Sequence, residues 1–130
     1  MTTATIDREK RERLRAALAA YLRGELRTFA FDDENCACGD TKDESLRLIS
    51  RQLYLIHDDT VDHPISVSEP VWAQLQQIAA FLGTDLEAAA QQHPAWPFAD
   101  EQQWQAHRQL ALELALPAYD PAVHDLEVLP

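Results

Sequence analysis

The residues with the densest chemical potential are His57, Asp58, Asp59, Asp62 and His63, two imidazoles and three carboxylates within seven positions. Asp58 and Asp62 stand four apart, as do Asp59 and His63, so a helix running to His63 would turn both pairs toward one side. Oxygen-rich ligand sets of this kind suit Mg²⁺ or another hard divalent cation. The same carboxylates in the last turn of a helix oppose its dipole by roughly 0.3–1 kcal/mol each, so the cluster requires a counter-charge. Two sources are open. One is a divalent cation held by Asp58, Asp59, Asp62 and His63; the other is an arginine of the first helix on which an acidic turn docks.

The stretch Leu55-Ile56-His57-Asp58-Asp59-Thr60-Val61-Asp62 resembles the first aspartate-rich motif of the all-α polyprenyl diphosphate synthases. That resemblance implies Asp58, Asp59 and Asp62 as Mg²⁺ ligands on a substrate diphosphate. It spans eight residues. His63-Pro64-Ile65-Ser66 stands where the family has an arginine pair, and no second aspartate-rich helix follows. A diphosphate also needs cationic cover, and Arg108 is the one base after the motif.

Other constellations are incomplete. Cys36 and Cys38 with His57 and His63 make a zinc-like donor set, but paired zinc cysteines usually have two to four residues between them, and here there is one. Asp32, Asp33, Glu34 and Asp40 flank both thiols and disfavour a thiolate. The sequence lacks a helical Glu-x-x-His pair, a glycine-rich phosphate loop and a Gly-x-Ser-x-Gly elbow, so no catalytic residue is assigned. His93, His107 and His124 read as surface or packed imidazoles. Trp96, between Ala95 and Pro97, suits either a core plug or an aromatic anchor for a partner.

The elements that would position these groups are helical. Leu14, Leu18, Tyr21, Leu22, Leu26 and Phe29 recur at steps of three and four, predicting an amphipathic helix over about Asp7 to Thr28, followed by a turn-rich stretch from Asp32 to Asp40. Thr41 with Glu44 forms a capping box for a second helix. Leu46, Ile49, Leu53 and Ile56 are its stripe, widened by Leu48, Tyr54 and Leu55, and Pro64 ends it at or before His63. Ser68 caps a third helix that Gly83 closes. Thr84-Asp85-Leu86-Glu87 is another capping box, opening a short helix stopped by Pro94. Asp100 caps a last helix through about Leu116, and an irregular tail follows. The expectation is an all-α, single-domain bundle of four or five helices over residues 1–130.

Charge narrows the function. The chain of 130 residues carries a formal charge of −11, and ten of its 11 bases lie at or before Arg51. From Gln52 onward one base faces twelve acids. Such a surface repels nucleic acid and anionic lipid and attracts basic protein surfaces or multivalent cations. No apolar run reaches the length of a membrane span, and the start has no secretory pattern, so a soluble cytoplasmic protein is expected. The leading expectation is a non-enzymatic helical protein acting through a protein partner with a basic surface, with Asp85, Glu87 and Trp96 as candidate contacts. An immunity protein or antitoxin fits by analogy of size and charge. The alternative is a divalent-metal protein built on the acidic cluster. Oligomeric state is not legible.

Overall fold

A computed structural model of the chain describes residues 5–56 and 62–125, and every regular element among them is a helix. Asp7 opens α1 (Arg8–Leu22) by accepting the Lys10 N–H at 3.1 Å. Leu14, Leu18, Tyr21 and Leu22 are buried, as their spacing predicts. The helix ends well before Thr28, however. Gly24 takes φ +79°, its N–H bonds the Tyr21 carbonyl, and the Glu25 N–H reaches back to the Ala20 carbonyl at 2.8 Å. These are the two reversed bonds of a Schellman ending, which favours glycine at the left-handed position. Phe29 thereby leaves the stripe and is exposed.

The expected turn-rich stretch is instead α2 (Thr28–Gly39). Its buried side is Thr28, Phe31, Asn35 and Cys38, a helical spacing masked in sequence because two of the four are polar. Phe31 stacks on Tyr21 of α1 at 4.6 Å between centroids. Asn35 Nδ2 donates to the Ser50 carbonyl at 2.9 Å, and Ser50 Oγ donates to the Asn35 carbonyl at 3.0 Å, clasping α2 to α3 (Glu44–Leu55). A Cβ at Gly39 would stand 2.6 Å from Ser50 Oγ, so glycine permits this approach.

Asp43, not Thr41, caps α3, accepting the Leu46 N–H at 3.1 Å; Thr41 Oγ1 donates to the Asp7 carboxylate. The next helix, α4 (Glu69–Leu82), follows Ser68 and ends at Gly83 as expected. Trp72, Leu75, Ile78, Ala79, Phe81 and Leu82 are all buried, because α1 covers one side and α5 (Glu101–His107) and α6 (Gln109–Leu112) cover the other. The single helix expected from Asp100 to Leu116 is broken at Arg108, whose N–H turns to Gln105. A short α7 (Pro121–His124) interrupts the expected irregular tail. Its His124 carbonyl accepts the Val67 N–H at 2.7 Å, and the His124 ring lies 4.4 Å from Trp72. The all-α bundle is therefore present, with seven helices among the described residues, three of them short.

The helix expected from Thr84 does not form; its first carbonyls are engaged by α1, Arg8 donating to the Thr84 carbonyl alongside Arg11. Arg11 Nη1 donates to the carbonyls of Thr84 and Leu86, both at 2.9 Å. In a helix the Thr84 carbonyl would accept the Ala88 N–H, which bonds Ser45 Oγ at 2.8 Å instead. Arg11 also forms a bidentate pair with Asp43, Nε to Oδ2 at 2.6 Å and Nη2 to Oδ1 at 3.0 Å. The two side chains are 0% and 1% exposed. Burial is the largest influence on Asp43 and opposes its charge. Bonds from Arg11 and from the Asp7 and Leu46 N–H groups together outweigh it and hold the carboxyl below its ordinary range.

Removing one partner leaves a buried charge, so Arg11→Met should cost about 3–5 kcal/mol in urea unfolding. The double variant Arg11→Met with Asp43→Leu should recover only part of that loss, because it also removes the α3 cap, worth about 1 kcal/mol. A depressed carboxyl pKa contributes stability that is present above the unfolded value, near ~3.9, and is lost as pH falls through the folded value. Melting temperature should therefore drop as pH falls below about 4, and Asp43→Asn should flatten that acid limb.

Candidate functional site

His57, Asp58 and Asp59 lie outside the described residues, so the acidic cluster is described only from Asp62. Asp62 Oδ1 accepts the Phe29 N–H at 3.1 Å, and its Oδ2 stands 3.6 Å from Arg27 Nε. Arg27 Nη2 donates to the Asp62 carbonyl at 2.9 Å. The next carbonyl, that of His63, accepts both the N–H and the Oγ1 of Thr28, at 2.8 and 2.6 Å. Asp62 and His63 thus cover the N-terminus of α2, where a negative group meets the positive end of the dipole. The arginine they meet stands at the start of α2 rather than within α1. The His63 ring points elsewhere, its Nδ1 being 2.6 Å from the Pro64 carbonyl. Among the described residues no group of three or more His, Cys, Asp or Glu side chains is placed to hold a metal.

The other candidates are dispersed. Cys36 and Cys38 are two residues apart on α2, so one faces solvent and the other the core; burial raises the Cys38 thiol pKa. Glu34 is paired with Arg13 at 2.7 Å, and that hydrogen bond holds its carboxyl below the usual range. Asp85 is exposed and pairs with Arg8 at 3.1 Å, while Glu87 is exposed on the same non-helical segment. Trp96 is not a projecting anchor. It is 4% exposed, and its indole N–H donates to the Ala89 carbonyl at 3.1 Å.

Sequence reasoning missed the outer face of α3. Leu48, Tyr54 and Leu55, expected to widen the buried stripe, are 48%, 56% and 65% exposed. The stripe was too wide for one face: Leu46, Ile49 and Leu53 already fill the side toward the core. Leu48, Arg51, Gln52 and Leu55 instead line a groove of about 210 Å³, with Ala89, Ala90 and Gln92 opposite and Trp96 also lining it. Gln92 Nε2 donates to Gln52 Oε1 at 2.8 Å between the two walls. Arg51 is the one charged side chain in the lining.

Asp62→Ala should destabilise the fold by about 1 kcal/mol, the usual cost of a lost N-terminal cap. Measured by urea unfolding, that cost should be the same in EDTA and in millimolar Mg²⁺. A penalty seen with Mg²⁺ and absent in EDTA would return Asp62 to a metal site.

No family model matches this chain, and no curated protein or solved structure matches it either.

Proposed function

We propose that this chain is a non-enzymatic protein-binding module whose partner presents a basic surface. The observation that carries the reading is the outer side of α3, where Leu48 and Leu55 are exposed on one face and Tyr54 is exposed about a third of a turn round from Leu48. Neighbouring large apolar side chains left in water mark interaction surfaces. The charge distribution supports the sign of the partner, since the chain from Gln52 onward sets twelve acids against one base. A complementary field steers encounter and rejects acidic competitors. Arg11 and Asp43 are saturated by each other and by backbone groups, which suits a structural role for the most buried charges.

The test is kinetic, with the protein that the full chain retains from its native host. Raising ionic strength from about 0.01 to 0.15 M shortens the screening length from roughly 30 to 8 Å, so the association rate should fall steeply while dissociation changes little. Glu87→Lys should weaken that dependence. It is a cleaner probe than Asp85, whose substitution also breaks the pair with Arg8. An association rate that ignores salt would remove the basic partner.

A further inference from the structure

We infer that the cleft between α4 and the α5–α6 pair binds a small organic carboxylate with an apolar body about the size of one aromatic ring. The site is separate from the outer face of α3 and needs no protein partner.

Gln76 of α4, Trp104 of α5, and Ala111 and Leu112 of α6 line the cleft, which measures about 170 Å³. Ala115 and Leu116 complete the lining beyond α6. Trp104 is fixed against the core, its ring 5.6 Å from that of the fully buried Phe98. Ala111 and Ala115 contribute one methyl group each, which leaves room between the larger side chains. Ala115 sits at φ +51°, a backbone region that alanine rarely occupies and that recurs at ligand clamps. An apolar cavity of about 150 Å³ is large enough for benzene, so this cleft suits one ring or a branched chain of about six carbons.

Charge selects the class of ligand. Arg108 sits where α5 gives way to α6, is exposed, and is the one charged side chain in the lining. Among the described residues no carboxylate lies within ion-pair distance of it, and Glu113, five residues on, stands 3.7 Å from Arg15 instead. The chain has 22 acids for 11 bases, and seven of its nine arginines pair with a carboxylate among the described residues. A guanidinium left over beside an apolar cleft is open to a carboxylate from outside, which its fork of N–H groups meets in two parallel bonds. Gln76 adds an amide N–H from the α4 side.

Neither half suffices alone. An exposed ion pair is worth little in water, so a carboxylate without an apolar body gains almost nothing. An uncharged ring forgoes the guanidinium. Requiring both selects an apolar monocarboxylate, and polyanions such as phosphate esters are disfavoured because a field of −11 repels each added charge.

The experiment titrates the full chain with benzoate to about 10 mM, a range set by the few atoms such a ligand buries, and follows the amide and indole N–H resonances by NMR. Benzamide, its neutral isostere, and acetate, which lacks the ring, are the comparisons. Benzoate should shift the Trp104 indole and the amides from Arg108 to Leu116 saturably, and bind about tenfold or more tightly than either comparison. Arg108→Gln should lower benzoate to the benzamide level while leaving benzamide unchanged. Leu112→Ser, at a position 61% exposed, should weaken benzoate and benzamide by a similar factor. Both positions are exposed, so circular dichroism should not change. Equal affinities for benzoate and benzamide, or an unchanged benzoate affinity in Arg108→Gln, would overturn the carboxylate. The absence of saturable shifts at the cleft, or shifts centred elsewhere in the chain, overturns the site. Each of these outcomes leaves the protein-binding reading where it stands.

Discussion

The guanidinium of Arg11 holds the architecture together. Four of its donors are used, two on Asp43 and two on the carbonyls of Thr84 and Leu86. Asp43 in turn caps α3 and accepts the N–H of Asp7, the residue that caps α1. One buried pair therefore sets the starts of two helices and the path of the chain after α4. Its attraction is not free stabilisation, since taking both charges out of water costs several kcal/mol that the six hydrogen bonds around the pair must offset. What the pair supplies is specificity: a hydrophobic substitute would fill the space without telling residues 84–86 where to lie.

That path is what creates the groove. With the Thr84 carbonyl engaged by Arg8 and Arg11 and that of Leu86 by Arg11, the segment is not helical and its Ala88 N–H settles on Ser45 of α3. Ala89 then takes the Trp96 indole, and Gln92 reaches Gln52. Had residues 84–93 coiled as their capping box suggests, their carbonyls would have been used internally and the wall facing Leu48 and Leu55 would not exist. A buried ion pair at one end of α3 thus determines the surface presented at the other.

Much of this was legible in the sequence. The all-α class, the buried faces of α1 and α4, and the ends at Ser68 and Gly83 follow from period and punctuation. The failures have common physics. Gly24 ended α1 through a left-handed turn that the apolar spacing ran straight across. The buried side of α2 was hidden because Asn35 and Thr28 are satisfied by partners in α3 and in residue 63, which no local pattern reveals. The capping box at Thr84 was overruled by two arginines of α1 more than seventy residues away. As for the site, Asp62 was legible as a charge needing a partner, while the outer face of α3 was legible only as excess: more apolar residues than one buried face accommodates.

That excess and the acidity answer to each other. Fully burying a leucine side chain is worth roughly 1.5–3 kcal/mol, so leaving Leu48, Leu55 and Tyr54 between 48% and 65% exposed forgoes several kcal/mol of stability within this chain alone. An apolar face of that kind invites self-association. A charge of −11 on 130 residues opposes it, because every collision between copies brings like fields together. The same field favours approach by a basic surface. In the proposed protein-binding role, acidity opposes self-association through the α3 face while the same field favours a basic partner.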